Sequence, residues 1–211
     1  MLHPGRTLIR ALARAASSAV IEPPVRKCEP PPAGPHAAYI PNVNVRTHKD
    51  QTVRFYEDLI RGKIVLINCL SIRDAASCSH IETLAQVQPL IGEDLGRSVF
   101  MYSITTDPEH DTPAALRAFA EQYKAGNGWL FLTGEAADLL MLRQRLFTHA
   151  GGQDCSRHLI RYGNAAVGLW GAIVASTRPE SIAQRLSWVT PVERPSGPPT
   201  RGGPPLLTAE G

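Results

Sequence analysis

Gly62-Lys63-Ile64-Val65-Leu66-Ile67-Asn68-Cys69-Leu70-Ser71-Ile72-Arg73-Asp74-Ala75-Ala76-Ser77-Cys78-Ser79-His80 is the stretch that decides the fold. Lys63 to Asn68 is a continuous apolar run of the kind a strand shows when both sheet faces are covered. Ile81, Leu84, Ala85 and Gln88 then recur at helical spacing and predict a helix over 79–88. A short loop joins the two, so Cys78 falls where a helix begins. The positive end of a helix lowers a thiol's pKa and makes it reactive or metal-binding.

Outward from this unit, the same alternation continues. Val43–Val45 and Thr52–Phe55 read as short strands around a turn at His48-Lys49-Asp50. Val99–Ile104 is a second apolar strand. Thr112 can cap a helix over 113–123: Pro113 fits its first turn, and Leu116, Phe119, Ala120 and Tyr123 line one face. Trp129–Leu132 is strand-like and Ala136–Phe147 helical. Arg157–Tyr162 and Val167–Val174 read as a hairpin turning at Gly163-Asn164, and Pro179–Val189 as a last helix. After the short N-terminal strands, the order β-α-β-α-β-α-β-β-α predicts an α/β sandwich with a mixed sheet.

Composition narrows the class. The chain has 211 residues, 43% hydrophobic, with 22 Lys and Arg against 19 Asp and Glu. That suits one domain of ordinary size with tails. No apolar run has membrane-spanning length. Arg6, Arg10, Arg14, Arg26 and Lys27 hold much of the basic excess, and no stripe of cations interleaved with aromatics suggests nucleic acid. Residues 1–36 read as a targeting-like segment followed by a Pro-rich linker, 37–190 as the domain, and 191–211 as a disordered Pro- and Gly-rich tail. The four cysteines, Cys28, Cys69, Cys78 and Cys155, are too scattered for a disulfide framework or a zinc ribbon. Cys69 reads as a buried small hydrophobe and Cys28 as an exposed bystander.

Two further phrases carry a likeness. One is Ser103-Ile-Thr-Thr-Asp-Pro-Glu-His-Asp-Thr-Pro113; the other is Trp129-Leu-Phe-Leu-Thr-Gly134. Together with Gly62–Asn68 they resemble the Sco/SenC family over about 39–189, and Pro41-Asn-Val43 and Arg161-Tyr-Gly-Asn164 extend the likeness. The resemblance implies a thioredoxin-like sandwich, an exported, periplasmic or membrane-facing location, and a role in cytochrome c oxidase assembly. Its partners would be an oxidase subunit or another copper-handling protein. It also implies copper held by Cys-x-x-x-Cys and a distal His, a soft donor set suited to Cu(I).

Carried over by position, the cysteine pair falls on 74 and 78. Cys78 matches, but Asp74 stands where the first Cys should be. The distal His falls near Ser156, with Cys155 before it and His158 after it. Asp74 is a hard oxygen donor and forms no disulfide with Cys78, so the family's dithiol couple between these positions is lost. The expectation is weak copper binding at a degenerate site. The sharper alternative is a remodelled site in which Cys155 and His158 join Cys78. His80, beside Cys78 in sequence, is expected to face solvent or to serve as a spare ligand. Asp107 and Asp111 are read as structural, with Asp111 and Thr112 capping the helix that follows. Trp129, Trp170 and Trp188 are expected in the core or half-buried.

Three functions compete. The first is a non-enzymatic accessory protein of copper handling. The second is a thiol-based redox protein using Cys78. Against it, Ala75, Ala76 and Ser77 stand where a peroxidase would carry Pro and Thr. The third is a metal-free binding module on the same scaffold.

Overall fold

The structure, a computed structural model, describes residues 39–148, 152 and 154–190, with residues 75–78 described in their backbone alone. The expected tails, Cys28 and the Cys78 thiol lie outside what is described.

Seven strands form one sheet in the order β2-β1-β5-β4-β3-β6-β7. They are β1 (Asn44–Thr47), β2 (Thr52–Arg54), β3 (Ile64–Leu70), β4 (Val99–Thr105), β5 (Trp129–Gly134), β6 (Leu159–Asn164) and β7 (Leu169–Val174). β3, β4 and β5 run parallel, linked through α1 (Ala75–Ile91) and α2 (Pro113–Gln122). The remaining pairings are antiparallel, so the sheet is mixed. All seven residues of β3 are buried, as a strand covered on both faces requires.

Even and odd strand positions feed two cores. Leu66, Leu70, Met101, Trp129 and Phe131 pack under α1, α2 and α4 (Pro179–Val189). Val65, Ile67, Cys69, Tyr102 and Leu132 pack under α3 (Ala136–Phe147) and the segment Phe55–Ile60. This is the α/β sandwich with a mixed sheet expected from the sequence, and Cys69 is the buried hydrophobe it was read to be, 4% exposed. A polar chain crosses the central strands inside the first core. Trp129 Nε1 donates to Ser103 Oγ at 2.9 Å, and Ser103 donates to Asn68 Oδ1 at 2.6 Å.

Four expectations change. β2 stops at Arg54, one residue short of the expected Phe55, and Phe55–Ile60 is a π-helix whose Tyr56 and Glu57 amides both donate to Asn42 Oδ1 at 3.1 Å. α1 starts at Ala75, so Cys78 lies within its first turn. The hairpin turns at 165–168, not at Gly163-Asn164. Gly163 stays in β6 beneath the Trp170 ring, where an added Cβ would lie 2.5 Å from that ring, and the Asn164 side chain donates to Val189 O. Trp188 is 58% exposed, its ring stacked under Arg185 at 4.2 Å.

Candidate metal-handling site

The carboxyl ends of β3 and β4 bring three loops together: 71–74, 106–112 and 154–158. In α/β sheets this is the end where ligands bind. The first loop is held from below. Thr106 donates its amide to Leu70 O at 2.7 Å, and Asp74 donates its amide to Ser71 O at 3.1 Å. Asp111 is only 1% exposed and accepts from the Ile72 amide at 3.4 Å and from the Thr105 hydroxyl. It therefore ties loop 106–112 to loop 71–74 and does not cap α2, which corrects the sequence reading. Thr112 alone caps, accepting the Ala115 amide at 3.3 Å. Burial pushes the Asp111 carboxyl above the ordinary carboxylate range, and the Thr105 and Ile72 hydrogen bonds oppose it. At the rim, Asp107 Oδ1 lies 2.8 Å from His110 Nδ1, and Arg73 approaches the other Asp107 oxygen at 3.9 Å.

Asp74 directly precedes α1, a position that favours a carboxylate because its oxygen can accept an amide of the first turn. Across the site, Arg157 reaches Asp74 Oδ2 at 3.6 Å and joins the third loop to the first. The Asp74 carboxylate thus faces a guanidinium. His80 is half-buried, not solvent-facing as expected. Burial and the charge of His158 hold its pKa below the ordinary imidazole value, against the pull of Asp74. The fold therefore gathers Asp74, His80, Arg157 and His158.

Ser156 is 4% exposed and turned to structure. Its amide donates to Asp154 Oδ1 at 2.9 Å, and Arg143 Nε lies 3.0 Å from Asp154 Oδ2. Burial pulls the Asp154 carboxyl up, but both Ser156 hydrogen bonds and the Arg143 and Arg157 charges outweigh it and hold it below the usual range. Cys155 is half-buried and anchored toward α3, its amide donating to Phe147 O at 3.1 Å. Its carbonyl accepts the amides of His158 and Leu159 at 3.0 and 3.1 Å, which closes the turn carrying His158. Among the described residues, no three His, Cys, Asp or Glu side chains are grouped to hold a metal. The donors gathered among the described side chains, a carboxylate and imidazoles, are harder than the thiolate pair that suits Cu(I).

The SCO1/SenC family model matches residues 49–158, just over half of the chain and all three of these loops. The chain belongs to the SCO1/SenC family. Solved structures agree on the thioredoxin-like fold. ScoI of Bradyrhizobium japonicum, with copper bound, is 18% identical with a TM-score of 0.55; the match covers 70% of this chain and 96% of that one. A SCO1/SenC family lipoprotein from Bacillus anthracis is 16% identical with a TM-score of 0.57, covering 71% and 94%. BsSco, described through a disulfide switch as a member of the Sco family of cytochrome c oxidase assembly proteins, is 16% identical with a TM-score of 0.53, covering 69% and 89%. No curated protein matches the chain. Within the family frame, sequence reasoning missed Arg157, and it gave Asp111 a structural role with the wrong partner. Arg157 had a signal, the cation next to the His158 candidate; Asp111 had none, since its partner Ile72 lies 39 residues away.

Proposed function

We propose that this chain is a non-enzymatic Sco/SenC accessory protein, exported or membrane-facing, related to copper delivery to cytochrome c oxidase, with a metal site that has degenerated. Its partner is an oxidase subunit or another copper-handling protein. One observation carries the reading: Asp74, which the family resemblance sets at the first-ligand position, directly precedes α1 and is paired with Arg157. A carboxylate given to a helix start and a guanidinium is a poor Cu(I) donor. The copper-bound relative supports copper as the cargo, and the lipoprotein relative supports placement at a membrane surface.

Cu(I) titration against a competing chelator tests it. Wild type binds weakly, Asp74→Cys binds at least tenfold tighter, and Cys155→Ala leaves the wild-type value unchanged. Tight equimolar binding by wild type overturns the degenerate site. If that binding is also lost in Cys155→Ala, Cys155 belongs to a remodelled ligand set.

A further inference from the structure

A second cluster lies at the opposite end of the parallel strands, where the turn after β1 faces the last turn of α2. His48, Lys49, Arg117, Glu121 and Lys124 line a groove there of about 510 Å³. His48 is 7% exposed and stands edge-on to the Phe131 ring, with centroids 5.9 Å apart. Its Nδ1 lies 3.2 Å from the Phe131 amide nitrogen, which can only donate. Nδ1 must therefore offer its lone pair, and the proton of the neutral ring sits on Nε2. Burial, then the charges of Lys49 and Arg117, hold the ring below the ordinary imidazole pKa and keep it neutral. Nε2 is thus the one N–H of a ring held in place beside the groove that His48 lines.

The cations around it are unspent. Arg46, Arg61, Arg73, Arg97, Arg143 and Arg157 each lie against a carboxylate. Among the described residues, Lys49, Arg117 and Lys124 form no ion pair, although Glu121 lines the same groove. Arg117 uses Nε to donate to His48 O at 3.1 Å, which orients the guanidinium and leaves its terminal nitrogens for an oxyanion. Nor are these cations required to cap α2. The carbonyls of Phe119, Ala120 and Glu121 already accept the amides of Tyr123, Ala125 and Lys124 at 3.3, 2.9 and 3.0 Å.

We propose that this groove is an anion site for a phosphate group, with His48 Nε2 and Arg117 as donors and Lys49 and Lys124 supplying charge. A phosphate group carries about 1.5–2 negative charges at neutral pH, which matches three cations against one acid. Its oxygens point in several directions and can engage both a forked guanidinium and a separate N–H. The phosphate can come free or as a phosphomonoester, its organic part leaving through the open side. The inference stands apart from the metal-handling end and does not depend on it.

The test is an NMR titration of the full chain with inorganic phosphate, referenced to sodium chloride at equal ionic strength. It follows the His48 imidazole and the Phe131 and Lys124 amides. Saturating shifts at these groups are expected, with the apparent Kd raised at least tenfold in Arg117→Gln and again in Lys124→Gln. Both positions are exposed, and unchanged amide shifts elsewhere verify the fold. A parallel titration with glycerol 1-phosphate distinguishes the sources: tighter binding than free phosphate identifies an ester, equal binding identifies the phosphate alone. Shifts no greater than chloride gives, equal binding of acetate, indifference to both substitutions, or shifts confined to His80 and His158 would each overturn the proposal.

Discussion

Removing the Asp74 carboxylate separates what the side chain does for the fold from what it denies to a metal. Asp74→Ala takes away a carboxylate at the N-cap position of α1, worth about 0.5–2 kcal/mol in other proteins. It also breaks the pair with Arg157, whose partners are 71% and 26% exposed at a 3.6 Å separation. A pair that open to solvent contributes about 0.2–1 kcal/mol. The expected total is about 1–2 kcal/mol, or a melting point lower by about 3–6 °C for a domain of this size. Arg157→Ala removes the pair alone and should cost under about 1 kcal/mol, an effect that vanishes at 1 M salt, where the screening length falls to about 3 Å. Asp74→Asn keeps a capping oxygen and should lie between wild type and Asp74→Ala. The assay is urea unfolding of the metal-free protein, in low and high salt. Asp74→Ala within about 0.3 kcal/mol of wild type would refute the argument that this residue has been given to structure. Asp74→Cys should then show both effects at once: weaker folding and stronger copper binding.

Three other perturbations follow from the same geometry. Ser103→Ala strands Trp129 Nε1 and one acceptor position of Asn68 in the core and should cost about 2–4 kcal/mol by urea unfolding, since each unmet buried group costs about 1–3 kcal/mol. The His48 contribution is complete above its ordinary value of about 6.5 and is lost as pH falls through its lowered folded value, because the unfolded chain binds that proton first. His48→Gln should flatten that part of a stability-versus-pH curve. Asp111 has the opposite sign: its folded pKa is raised, so the folded state takes the proton first and stability falls as pH rises from about 3.9 through the raised value. Asp111→Asn should remove that fall while keeping an oxygen for Ile72.

What could be read beforehand was local. β3 announced itself by an unbroken apolar run, and α2 by Thr112, Pro113 and a face of Leu116, Phe119 and Ala120. What escaped was set across long separations. The Tyr56 amide of the π-helix donates to Asn42, 14 residues before it. The role of Asp111 depends on Ile72, and the Asp74–Arg157 pair joins residues 83 positions apart, which no periodicity reports. Gly163-Asn164 has the composition of a turn, yet Trp170 needs the space above Gly163, and packing overrode that local preference. Asp74 could be read as a change of donor only through the family resemblance; its pairing with Arg157 could not be read at all.

The Asn68–Ser103–Trp129 chain also constrains how the sheet can assemble. β3, β4 and β5 meet only after long stretches of chain have closed, and such parallel pairings form slowly. A slip of one residue between β3 and β4 would turn Ser103 to the wrong face, parting it from Asn68 or from the Trp129 indole. Each group left unmet would penalise the slipped sheet by about 1–3 kcal/mol before any helix docked. Three largely apolar strands hold little information about which offset is correct. The hydroxyl between them supplies it, a proofreading contact that discards misaligned sheets while they are still free to let go.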